Sequence, residues 1–304
     1  MRILVTGASG FLGRHLVQAL SESRHEVRRL GRHVDPGDPR SFAWDPARGS
    51  LDPAALQGVD AVIHLAGESI SAGRWDEAVK QRLRDSRVAS TRLLLDGLAK
   101  LERRPRTLIA ASAVGFYGDR GDQELDEDSP SGSDFLASLC RDWEAESARA
   151  ADLGLRVVQP RIGVVLGPDG GVLRRLRLPF GLGLGGRLGS GRQWMSWIAL
   201  PDLVGALGFL LNRHDLSGPF NLCAPHPVTN ALFTQSLGRA LNRPARLPVP
   251  AWALRAAFGE MGQALLLGGQ RALPRNLERA GFVFQNPFLG EALNRLYHIA
   301  PDRR

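Results

Sequence analysis

The residues whose types and spacing suit a definite chemistry stand at the start of the chain. Gly7-Ala8-Ser9-Gly10-Phe11-Leu12-Gly13 follows the apolar run Ile3-Leu4-Val5 and precedes apolar residues at helical spacing. Glycines three apart at a strand-to-helix turn suit a dinucleotide pyrophosphate. The first permits a tight turn, the second lets the phosphates approach the backbone, and the third lets helix and strand pack closely. The helix start then presents unpaired N–H groups to the anion. A second strand should end at Leu30-Gly31-Arg32-His33, where an adenosine ribose would lie. A carboxylate there would favour NAD, but Asp35 comes three residues too late. Arg32, with its planar fork of donors, favours the 2′-phosphate of NADP(H); the alternative is an arginine that merely faces solvent.

Asp60 to Ala66 reads as a buried strand closed by Gly67, forming the opposite wall of the same site. His64 lies inside that apolar run, so a packed, hydrogen-bonded histidine is its first reading. The expected cofactor lining is Gly7, Ser9, Gly10, Phe11, Leu12, Gly13, Arg32, His64, Leu65, Ala66, Gly67, Glu68, Ala110, Ala111 and Pro160.

The elements that must hold these residues follow from periodicity. Strands are expected at Arg2–Thr6, Glu26–Leu30, Phe42–Trp44, Asp60–Ala66, Thr107–Ser112 and Arg156–Gln159, the last stopped by Pro160. Helices are expected at Phe11–Glu22, at Val79–Leu101 as one unit, and at Phe135–Ala151. This alternation predicts an α/β fold: a doubly wound parallel sheet covered on both faces, with ligand at the carboxyl ends of its strands. Residues 163–192 are rich in glycine and are expected as turns and short strands shaping a pocket, not as a regular packed helix. Pro201–Leu211 reads as a helix, Gly218–Cys223 as a strand returning to the sheet, and the chain from Val228 onward as mostly helical.

Composition narrows the classes. At 304 residues, with 43% hydrophobic and 23% charged, the chain is long enough for a sizeable core. No apolar run reaches membrane-spanning length, and Met1-Arg2 leads directly into the first strand, so a cytoplasmic protein without a membrane partner is expected. Cys140 and Cys223 fit no zinc-ligand spacing, and no metal is expected. The formal charge is +8, nearly all of the basic residues being arginine. They are spread along the chain, which reads as a solvated surface with attraction for phosphorylated small molecules and not as a nucleic-acid binder.

Taken together, these features resemble the extended short-chain dehydrogenase/reductase superfamily, and within it the atypical epimerase-family, SulA-like group with its own C-terminal domain of unknown function. The narrower likeness rests on Asp85-Ser86-Arg87 with Thr91, Ala111-Ser112-Ala113-Val114-Gly115-Phe116-Tyr117-Gly118, Phe135-Leu136-Ala137 with Trp143-Glu144, Pro160-Arg161-Ile162-Gly163-Val164-Val165-Leu166-Gly167 and Met195-Ser196-Trp197-Ile198. Phe258-Gly259-Glu260-Met261, Gly269-Gln270-Arg271-Ala272-Leu273-Pro274 and Ala280-Gly281-Phe282 extend it to nearly the whole chain.

The resemblance implies a dinucleotide-binding domain at 1–160, joined by a returning strand near 218–224, and a smaller, mostly helical substrate domain at 161–304 closing over the cleft. It also implies, from the wider superfamily, a Ser, a Tyr and a Lys at the catalytic centre, with Tyr and Lys one helical turn apart. Ser112 matches the serine position. The chain has only Tyr117 and Tyr297, followed four residues later by Gly121 and Pro301, and the helix that should carry the pair reads Phe135 and Leu139. The catalytic candidates are therefore Ser112, Tyr117 as a displaced acid, and Arg161 as an orienting or polarising group; Glu260 is a weaker one. Proton supply by water or substrate is a further possibility. Lys80, Arg84 and Arg87 form a basic stripe that either faces solvent or reaches a phosphate or substrate. Trp194 and Trp197 either wall a pocket or pack between domains. The expectation is an NADP(H)-dependent oxidoreductase or epimerase-like enzyme acting on a small polar or nucleotide-linked substrate, as monomer or homodimer. The alternative is a non-catalytic NADP(H) sensor or regulator.

Overall fold

The apolar runs of the sequence become strands whose alternate side chains feed two separate cores. The computed structural model describes residues 1–71 and 73–298. Its first half runs β1 (Arg2–Thr6), α1 (Phe11–Glu22), β2 (Glu26–Gly31), β3 (Ser41–Asp45), β4 (Ser50–Leu51), β5 (Ala61–His64), α2 (Glu77–Asp85), α3 (Val88–Ala99), β6 (Thr107–Ala110), β7 (Ser112–Ala113), β8 (Glu124–Leu125) and α4 (Phe135–Ala148). Then follow β9 (Arg156–Ile162), β10 (Val164–Gly167), α5 (Gly171–Gly181), β11 (Trp194–Met195), β12 (Trp197–Ala199), α6 (Leu200–Asn212), β13 (Gly218–Leu222), β14 (Val228–Thr229), α7 (Asn230–Ala240), α8 (Ala251–Gly262), β15 (Arg271–Ala272), α9 (Arg275–Arg279) and α10 (Leu289–His298).

The main sheet has the order β13-β9-β6-β5-β1-β2-β3-β4 and is parallel except for the β3–β4 pair. From β1 the chain moves outward to β3, then crosses back to β5 on the other side of β1. That reversal is the switch point where α/β sheets open a ligand crevice. Ile3, Val5, Ala61, Ile63 and Ile109 pack on one face with Leu16 and Leu20 of α1 and Leu203, Leu207 and Leu210 of α6. Leu4, Val62 and Leu108 point the other way, against Leu94, Leu95 and Leu98 of α3. This is the period-two pattern of a sheet buried on both sides. A third core gathers Leu173 and Phe180 of α5, Trp197, Phe233 and Leu237 of α7, and Leu293 of α10.

Three expectations change. The single helix over 79–101 is two, because Ser86 and Arg87 turn their side chains onto the backbone. Ser86 Oγ donates to Leu83 O and accepts from Glu68 N–H, while Arg87 donates to Leu83 O and Glu68 O. The strand does not stop at Pro160. β9 pairs with β6 up to Val158 and with β7 from Arg161, so the missing N–H falls in a gap of that ladder. Residues 163–192 do contain a regular helix, α5. The glycines lie outside Val172–Phe180, whose Leu173, Leu176 and Phe180 have helical spacing and enter the third core.

Candidate active site

At the end of β1 the backbone turns through Gly7, whose φ is +68°. A Cβ there would lie 2.9 Å from Ala66 N, and one on Gly13 would lie 2.1 Å from Gly7 O. Only glycine lets α1 start this close to the strand ends. The N-cap of α1 is Gly10, and among the described residues no side chain caps the helix. Its first-turn N–H groups therefore stay free at the positive end of the helix dipole. Ser9 and Gly10 are exposed, and Phe11 and Leu12 half-buried.

The glycines of the following segment serve the same place. A Cβ at Gly170 would lie 2.1 Å from the Phe11 ring. Asp169, beside it, accepts from Arg14 Nη2 at 2.6 Å and lies 3.2 Å from His15 Nε2. Across the turn, Leu65, Ala66 and Glu68 are half-buried and Gly67 is exposed. Arg32, just past β2, is also exposed, and among the described residues no carboxylate pairs with it; Asp35 instead accepts from Gly37 N–H.

His64 is wholly buried, and its side chain acts from behind the site, not as part of an exposed lining. Its Nδ1 lies 2.7 Å from Thr6 Oγ1 and its Nε2 3.1 Å from Thr91 Oγ1. Thr91 already donates to Arg87 O, so Nε2 must be the protonated nitrogen and Nδ1 the acceptor. Burial pushes the imidazole pKa down to about 4, so it stays neutral and ties β1 and β5 to α3. Ala110, Ala111 and Pro160 are buried as well.

The catalytic candidates Ser112, Tyr117 and Arg161 do come together, but inside a closed polar network. Ser112 Oγ donates to Glu144 Oε1 at 2.6 Å, and Arg161 holds both oxygens of Glu144 through Nε and Nη2, each at 2.9 Å. Arg161 Nη1 donates to Tyr117 OH at 2.9 Å, and that hydroxyl donates to Asn221 Oδ1 at 2.7 Å. The guanidinium lies 3.6 Å from the centroid of the Phe116 ring. Tyr117 is fully buried and burial raises its pKa, so it is poorly suited to exchange a proton with a ligand. Glu127 Oε1 accepts the N–H groups of Asn221 and Asn276, its other oxygen has no partner among the described residues, and burial pushes its pKa up.

Glu144 is the centre of this network, and sequence reasoning gave it no chemical role. The available signal was a carboxylate one turn after Cys140 on the buried face of α4. The Cys140 thiol is pushed up to about 12 by burial and stays protonated. Phe135 and Leu139, on the same helix, pack with Trp75, Leu83, Leu136 and Met261 in an apolar cluster.

The basic stripe divides. Lys80 pairs with Glu260 of α8 at 2.6 Å, Arg84 pairs with Asp142, and Arg87 has no carboxylate partner among the described residues. Instead, Arg87 sits against Gly67 and over the Trp143 ring, 5.3 Å from its centroid. Glu260 is thus engaged in an ion pair, and Arg74 reinforces that contact by donating to Ala256 O at 2.8 Å. Trp197 packs in the third core, while Trp194 donates to Asp122 beneath Arg271. Among the described residues no group of His, Cys, Asp and Glu is placed to hold a metal ion, and no helix is long and apolar enough to cross a membrane.

Residues 3–223 match the NAD dependent epimerase/dehydratase family. The chain belongs to that family. Residues 249–296 match a domain of unknown function, DUF1731. An epimerase family protein of Mycobacterium bovis is 50% identical over 96% of each chain. The epimerase family protein SDR39U1 of Homo sapiens is 38% identical over 97% of this chain and 99% of its own. Among solved structures, human SDR39U1 with NADPH superposes at a TM-score of 0.90, with 37% identity, over 98% of this chain and 99% of that one. A nucleoside-diphosphate sugar epimerase from Corynebacterium glutamicum gives 0.81 and 36% over 98% of this chain and 58% of that one. As an epimerase/dehydratase family member, the chain has a Rossmann-like parallel sheet matching these structures, with the smaller helical region following.

Proposed function

We propose that this chain binds NADP(H) across the carboxyl ends of its parallel sheet and uses it in oxidoreduction or epimerisation of a small polar or nucleotide-linked substrate. The observation that carries the reading is the uncapped start of α1, packed against a turn where side chains at Gly7 and Gly13 would collide with backbone. The likeness to a relative crystallised with NADPH supports it. In this reading the first-turn N–H groups of α1 hold the pyrophosphate, and Arg32 meets the 2′-phosphate. Ala66 and Gly67 let the ligand lie on bare backbone. Arg87, beside Gly67, supplies a positive charge to an anionic group of cofactor or substrate. Residues 1–160 with the strand near 218–224 form the cofactor side, and residues 161–304 the substrate side.

The bound nicotinamide would supply a hydride for reduction or, in its oxidised form, would take one up and return it for epimerisation. Ser112, Tyr117 and Arg161 act as the rigid backing of the site through Glu144, and the proton comes from water or the substrate. The burial of Tyr117 and the apolar packing of Phe135 and Leu139 favour a second reading, an NADP(H)-binding regulator without turnover. A screen of carbonyl compounds for NADPH consumption separates them. Reproducible turnover establishes the enzyme; tight NADPH binding with no turnover in that screen and no solvent-independent stereochemical exchange of nucleotide-linked sugars by the NADP+-loaded protein favours the regulator.

A further inference from the structure

The positive charge of this chain is not spread evenly once the fold is known. Residues 170–201 contain five arginines and residues 216–259 contain four, and neither stretch holds an aspartate or a glutamate. The rest of the chain carries 30 basic against 31 acidic residues, from totals of 39 and 31, so these two stretches hold the whole excess. They meet in the C-terminal region. Leu247 N–H donates to Gly185 O and Val249 N–H to Arg187 O, which lays 247–249 alongside 185–187.

Where they meet, the surface is concave. A cavity of about 700 Å³ is lined by Arg187, Arg239, Arg243 and Arg246, with Thr234, Gln235 and Asn242 adding neutral polar groups and, among the described residues, no carboxylate in the lining. Its floor is one face of α7, because Ala231, Thr234, Gln235 and Gly238 are spaced by three, four and seven. Its rim is a built turn. Asn242 adopts a φ of +50°, and a Cβ at Gly238 would lie 2.8 Å from Ala245 Cβ, so glycine is what lets the 243–246 loop close over the helix.

Many arginines elsewhere pair with a carboxylate, as in Arg2–Glu26, Arg14–Asp169 and Arg213–Asp215, although Arg32 at the glycine turn does not. Among the described residues none of the four cavity arginines is in an ion pair. Like charges gathered in a cleft with no counter-charge raise the local potential and draw in anions. Guanidinium groups pair bidentately with phosphate. The volume lies in the range of small-molecule sites, and Pro244 and Pro248 offer an apolar wall for an organic part.

We propose that this cavity is a second anion site, separate from the glycine turn, for a small organic polyphosphate of nucleoside-diphosphate size. None of its lining residues belongs to the proposed dinucleotide cradle. A concave site of this size, with its arginines gathered around one cavity, fits a compact ligand better than a polymer, which would need a continuous strip of charge.

Calorimetric titration of the full chain with inorganic pyrophosphate and with ADP, in NADPH-saturated buffer, tests the assignment. One saturable equivalent per chain is expected, weakened at least about tenfold in the Arg243→Gln/Arg246→Gln double variant and unchanged in Arg32→Ala. An unchanged melting temperature of the double variant shows that these exposed substitutions leave the fold intact. No saturable binding of either probe overturns the proposal, as does binding that the double variant keeps. Tighter binding of a poly(U) oligonucleotide, lost in the same variant, also overturns it by making this face a nucleic-acid surface. Because Arg32→Ala acts only on the dinucleotide cradle, failure there leaves this result readable.

Discussion

The glycine turn after β1 and the polar cluster behind β7 both concentrate hydrogen-bonding groups, and they use them in opposite ways. At the turn, the N–H groups of the first turn of α1 have no side-chain cap, and Arg32 is exposed without a carboxylate partner among the described residues. In the cluster, Ser112, Tyr117 and Arg161 are buried and each already donates to Glu144 or Asn221. Groups left free on an accessible surface can receive a ligand. Groups paired with one another in the interior fix the geometry around it. Of the two, the first has the open form of a binding site, and the catalytic candidates Ser112, Tyr117 and Arg161 fall in the second.

The largest effect is expected in the closed cluster. Glu144→Ala leaves the Arg161 guanidinium buried without its carboxylate and should destabilise the fold by about 3–5 kcal/mol. Urea denaturation measures it. A loss below about 1 kcal/mol, the scale of an exposed pair, would show that the cluster is not the closed network described.

Histidine burial gives the next effect, and it depends on pH. The folded pKa of His64 is about 4 against an ordinary 6.5, so between these values the unfolded chain binds a proton that the native state does not. Stability should therefore fall as the pH drops from 6.5 towards 4, by as much as about 3 kcal/mol from this residue. His64→Gln should flatten that part of the profile; an identical profile in the variant would remove His64 as its source.

Arg32 probes the open region. Arg32→Ala should weaken NADPH by about ten- to a hundredfold, the value of a charge-assisted contact, and leave NADH nearly unchanged. Equal losses for both nucleotides would reject the 2′-phosphate contact.

How far the sequence revealed each region follows the same division. The cradle was legible because glycine spacing, an apolar strand and an amphipathic helix are local signals; α1 runs Phe11–Glu22, as the periodicity predicts. The cluster was not, because Glu144 gains its role only when α4 is laid against β9, and no local pattern encodes that contact. The misread elements have the same cause. Side-chain bonds from Ser86 and Arg87 divide a continuous apolar pattern into two helices, and a gap in the neighbouring ladder lets β9 continue through Pro160. Glycine content hid α5, although its glycines sit at the ends. The arginine-lined cavity was hidden because its residues come from two stretches distant in sequence.

The central claim is that a dinucleotide rests on the free N–H groups where β1 gives way to α1. Calorimetric titration of NADPH into the wild-type chain and into Gly13→Val, with circular dichroism to confirm folding, tests it most directly. The account predicts one bound equivalent in the wild type and no measurable heat in a folded variant, whose side chain would meet Gly7 O. A wild-type chain that is folded and binds neither NADPH nor NADH would contradict it.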